Sequence, residues 1–68
     1  MTSITGTILL IGDGFFILQD AGSGQEIQVN TICPCRFCPG DRVRVCFDGV
    51  MTRSLPPQIS AGSVRKCR

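Results

Sequence analysis

The sequence predicts an all-β fold: one domain over residues 1–68, built as a small barrel of five to six short antiparallel strands with no substantial helix. Three observations carry that expectation. Apolar residues alternate with a period of two, the spacing of a strand with one buried face. Isoleucine, valine and threonine, whose branched side chains suit a pleated surface, crowd the segments between turns. Glycine or proline interrupts every stretch longer than about ten residues, so no window sustains an amphipathic helix. Closure into a barrel is favoured because it removes sheet edges that would otherwise pair with other chains.

The elements follow in order. Residues 3–11 form a first strand, with Ile4, Ile8 and Leu10 in phase. Gly12-Asp13-Gly14 supplies a tight turn, glycine accepting the positive φ that hairpins demand. Residues 15–19 form a second strand, apolar on both faces at its start. After the turn cluster Asp20-Ala21-Gly22-Ser23-Gly24, residues 25–30 alternate, with Ile27 and Val29 inward and Glu26 and Gln28 outward. Residues 40–47 make the sharpest strand, Val43, Val45 and Phe47 on one face and Arg42, Arg44 and Cys46 on the other. Asp48-Gly49 marks a turn or bulge, and residues 50–53 continue or return the strand. Leu55-Pro56-Pro57 is held to extended geometry and kept out of a central ladder. Residues 58–66 close the fold with Ile59, Ala61 and Val64 as apolar positions, and the change of phase at Gly62 predicts a β-bulge.

A chain of 68 residues removes only about 60% of its unfolded surface from water, which gives cysteines or association a reason to supply a staple. The longest apolar run, Ile8 to Ile11, is too short to span a bilayer, so no membrane partner is expected. No basic lead-in or small-residue cleavage site opens the chain, which predicts a cytoplasmic protein. An export signal replaced by a starting Met1 would read the same. Charge is uneven: residues 1–35 hold Asp13, Asp20 and Glu26 and no cation, whereas all seven lysines and arginines follow, against Asp41 and Asp48. Such asymmetry points to an anionic partner or to an ordinary solvated strand face.

Over residues 39–64 the chain resembles the YobA-like family of small bacterial domains of unknown function. The matching features are Gly40-Asp41 opening a strand, Phe47-Asp48-Gly49 after it, and Ser54-Leu55-Pro56-Pro57-Gln58 before the last strand. The resemblance implies an OB-like barrel and relatives that are often exported. It brings no activity, and the family pattern has no cysteine cluster.

That cluster, Cys33-Pro34-Cys35-Arg36-Phe37-Cys38, sits where many OB-like barrels carry a plugging helix, and its prolines make a helix improbable. Three chemistries compete. Cys35-x-x-Cys38 has half of a zinc-knuckle spacing, with Cys33 as a third thiolate and Cys46 or Cys67 as a fourth, a set that suits zinc as cofactor. Disulfides joining Cys33 or Cys38 to Cys46 or Cys67 would stabilise a domain this small in an oxidising compartment. The plain reading is reduced thiols packed as small apolar groups.

Arg42 and Arg44, with Arg53, Arg65, Lys66 and Arg68 expected nearby and Arg36 and Phe37 in the cysteine loop, form a candidate surface for single-stranded nucleic acid or another anion; Phe37 is the aromatic expected to be free for stacking. Catalysis is not expected. The chain has no histidine, no phosphate-cradling glycine loop in a strand-to-helix setting, and carboxylates at turns where capping accounts for them. The sequence therefore predicts a non-enzymatic binding or interaction module whose partner it leaves open. Self-association through strand edges is a further expectation.

Overall fold

A computed structural model describes residues 2–31 and 37–67. Five strands form one sheet: β1 (Thr2–Ile11), β2 (Phe15–Asp20), β3 (Glu26–Asn30), β4 (Arg42–Phe47) and β5 (Gln58–Lys66). Their spatial order is β1-β2-β3-β5-β4, and β4 returns to β1, so the sheet closes into a ring. The first three strands form the expected meander. Residues 50–53, an expected strand segment, lie instead in the connection between β4 and β5.

One pairing departs from the antiparallel expectation: β3 and β5 run parallel, with Gln28 opposite Gln58, Val29 opposite Ile59 and Asn30 opposite Ser60. Parity demands it. Strand directions can alternate all the way round a closed ring only when the number of strands is even, so a ring of five must contain a parallel seam. Here that seam falls where β5 reaches β3.

β1 is long because two neighbours share it. Thr2 to Thr7 pair with β4 and Gly6 to Ile11 with β2. Along the second half the ladder to β2 slips between Ile8 and Leu10, leaving Leu9 as an extra residue. The slip corrects the phase expected for this strand. Ile8 is buried, but Leu10 is 50% exposed, and Ile11 turns back to pack on the core. A bulge reverses which face the following side chains take, and strict alternation cannot anticipate it. The bulge expected at Gly62 is present: Phe47 pairs with Ala61 and Cys46 with Ser63, skipping Gly62.

The ring encloses Ile8, Phe16, Leu18, Ile27, Val29, Val43, Val45, Phe47 and Ile59. No buried polar side chain is found among the described residues. Phe37 packs against this core, its ring 6.2 Å from that of Phe16 and tilted by 59°. Ring closure gives each strand a neighbour on both sides, so association through strand edges has only partial edges to use. No helix among the described residues is long and apolar enough to cross a membrane.

Candidate functional site: an arginine face and an adjoining cleft

The outer faces of β1, β4 and β5 combine into one surface through their registers. Thr5 pairs with Arg44, and Arg44 with Arg65. One step along, Ser3 pairs with Cys46 and Cys46 with Ser63. In the other direction Thr7 pairs with Arg42, whose carbonyl accepts a 2.7 Å hydrogen bond from the Cys67 amide. The result is three rows: Ser3-Cys46-Ser63, Thr5-Arg44-Arg65 and Thr7-Arg42-Cys67. Arg42, Arg44 and Arg65 are all exposed.

Two cations directly opposite each other on adjacent strands repel. No carboxylate among the described residues relieves Arg44 or Arg65, because the one ion pair found there joins Lys66 to Asp41 at 3.5 Å. Lys66 lies opposite the buried Val43 and reaches out of the barrel mouth to that carboxylate, a snorkelling arrangement. Arg42, Arg44 and Arg65 take part in no ion pair among the described residues.

Of the residues expected on this surface, Arg42 and Arg44 are there. Arg53 is exposed but belongs to the β4–β5 connection. Arg36 and Arg68 lie outside the described residues. Phe37 is a correction: it is part-buried against Phe16 and the core, because packing its ring there removes apolar surface from water that would stay exposed on a free ring. Arg65, expected near this surface, stands directly opposite Arg44 at its centre. Its outward phase depends on the bulge at Gly62, and its partnership with Arg44 on a register that no local signal carries.

Cys33 and Cys35 lie outside the described residues. Cys38 is tied to the start of β4, its amide donating to Asp41 Oδ2 at 2.9 Å and its carbonyl accepting from the Asp41 amide at 3.0 Å. Cys46 lies near the other end of that strand, half-buried. Cys67, the other candidate, lies at the same end as Cys38. Among the described residues no three ligating side chains gather.

A cleft of about 130 Å³ opens beside the arginine face, lined by Asn30, Asp48, Val50, Thr52, Gln58, Ile59 and Ser60. Its floor is the parallel β3–β5 seam. Its wall is the β4–β5 connection, held against β5 by Thr52: the Thr52 amide donates to the Gln58 carbonyl and the Gln58 amide to Thr52 Oγ1, each at 3.0 Å. Within it Asn30 Nδ2 donates to Gln58 Oε1 at 3.5 Å, and Gln28, behind the lining, donates to Asn30 Oδ1 at 3.1 Å. Asp48 Oδ1 accepts from the Val50 amide at 3.0 Å, fixing the connection where it leaves β4.

Compared with protein-family models, curated proteins and solved structures, the chain matches none of them.

Proposed function

We propose that the chain is a non-enzymatic binding module on an OB-like barrel, and that its arginine face holds the phosphate backbone of single-stranded nucleic acid. The OB-like class is supported by a five-stranded ring whose fourth strand crosses over to pair with the first, as in a Greek-key barrel. The resemblance of residues 39–64 to the YobA-like family points the same way.

The observation that carries the function is Arg44 directly opposite Arg65, with Arg42 beside Arg44 on the same strand face and diagonal to Arg65, and no carboxylate among the described residues to relieve them. An arrangement that costs stability in the isolated protein becomes favourable when an anion bridges it. The ligand is extended and phosphate-bearing because the guanidinium groups are flanked by the hydroxyls of Ser3, Thr5, Thr7 and Ser63, the donor set that phosphate oxygens take. This face offers no aromatic platform, so it grips the backbone and leaves the bases unread.

The test is a fluorescence titration of a labelled oligothymidylate at several salt concentrations. Three phosphate contacts predict a slope of log K against log salt of about −2. Arg44→Ala and Arg65→Ala should each weaken binding and flatten the slope by roughly 0.7. Absence of binding at low salt, or affinities and slopes unchanged in both variants, would overturn the proposal.

A further inference from the structure

If the arginine face takes only phosphates, base recognition has to lie elsewhere along the same path. The outer face of β5 supplies that path: it runs from Gln58 and Ser60 at the cleft, through Ser63, to Arg65. Ser60 and Arg65 are five residues apart, one of them bulged, a separation of roughly 13–16 Å, which a few nucleotides of extended strand would cover. At about 130 Å³ the cleft is well below the roughly 300–1,000 Å³ of sites that enclose whole drug-sized ligands. It has room for one planar ring system, with the buried Ile59 beneath and Val50, 67% exposed, at the rim.

The polar groups of the cleft narrow the choice of ring. Asp48 keeps Oδ2 unengaged among the described residues, since its contact to the Val50 amide uses Oδ1. Gln58 accepts from Asn30 through Oε1 and keeps the two donors of its amide nitrogen. A carboxylate is an acceptor-only group that takes two parallel hydrogen bonds, and an amide nitrogen is a donor. Guanine is the natural base whose pairing edge sets two adjacent donors, the ring N1–H and the 2-amino group, beside the O6 acceptor. Adenine and cytosine each offer a carboxylate one exocyclic amino group, and uracil and thymine offer a single ring N–H.

We infer that this cleft binds a guanine base, Asp48 accepting from N1–H and the 2-amino group and the Gln58 amide donating to O6. In the intact complex the base belongs to the strand whose phosphates lie on the arginine face, so this inference rests on that reading for its ligand; the test separates the two.

The experiment has two arms. In the first, the full chain is titrated with guanosine and with inosine, which lacks only the 2-amino group, while backbone amide resonances are followed by NMR. Guanosine should move the resonances of Val50, Gln58 and Ser60 and bind about tenfold or more tighter than inosine. No phosphate is present, so this arm reads the cleft whatever the arginine face does. In the second, oligothymidylates carrying a single central guanine, inosine or adenine are compared across salt. The guanine strand should bind about tenfold tighter than the others at every salt concentration. Asp48→Asn, which keeps the oxygen that accepts from Val50, should erase the preference and leave the salt slope intact. Equal affinity for guanosine and inosine, or a guanine preference that survives in Asp48→Asn, overturns the guanine site. A base-independent, salt-dependent affinity overturns it while leaving the arginine face standing. Guanosine binding with no salt-dependent affinity for any oligonucleotide supports the cleft and overturns the arginine-face reading.

Discussion

Gly6 sits in the middle of β1, opposite Asp20, and is buried. A Cβ built there would collide with the backbone carbonyl of Gln19, which cannot swing aside as a side-chain tip can. Gly6→Ala should therefore lower stability by about 1–3 kcal/mol, read as an earlier midpoint in chemical denaturation; an unchanged midpoint would mean that β1 and β2 part at this point without cost. Asp20 illustrates a different kind of residue control. Its carboxylate accepts from the Ser23 hydroxyl at 2.9 Å and from the Gly22 amide at 3.3 Å, and these bonds hold its pKa below the ordinary 3.8. A carboxyl depressed in the folded state contributes stability that is present in full above its unfolded value and is lost as pH falls from about 3.8 through the folded value. Titrated by NMR, Asp20 should move up towards 3.8 in Ser23→Ala. A titration midpoint unmoved in that variant would rule out the hydroxyl as the main cause.

At the scale of elements, pairing register and not strand content creates the arginine face. β4 alone places two arginines outward; β5 adds a third only because the bulge at Gly62 turns Ser63 and Arg65 out and lets Ala61 and Val64 pack inward. If Arg44 and Arg65 are kept opposed for an external anion, then replacing one with its opposite charge should improve the fold while harming binding. Arg65→Glu is expected to raise stability by about 0.5 kcal/mol, within the range of cross-strand ion pairs, and to reduce oligonucleotide affinity by more than Arg65→Ala does. Thermal denaturation and binding measured on one preparation decide it. A loss of stability together with unchanged affinity would show that Arg65 serves the fold and not the ligand.

For the molecule as a whole, closure organises everything else. The ring places its apolar residues in a single core with no buried polar side chain among the described residues. Phe37 packs against Phe16, and Lys66 reaches Asp41 just before β4. Acidic residues concentrate in the first half of the chain and basic ones in the second, and the fold converts part of that linear asymmetry into a spatial one by bringing β5 beside β4. The cleft arises from closure too, since its floor is the parallel seam that an odd number of strands requires.

The all-β class, the boundaries of β5, the inward faces of β3 and β4 and the bulge at Gly62 were legible in the sequence, because each depends on local alternation and on where glycine and proline stand. Arg42 and Arg44 were legible as outward for the same reason. Local pattern could not show the bulge at Leu9, since Ile8 to Ile11 is apolar throughout and offers no polar residue to mark a change of phase. Nor could it show Phe37 packed against Phe16, Arg65 set against Arg44, or Asp48 and Gln58 brought to one cleft. Each of these is a contact between residues distant in the chain or a choice of side made by the packed whole. Strand content was written in neighbouring residues; the arginine face was decided by register and closure, which only the tertiary structure supplies.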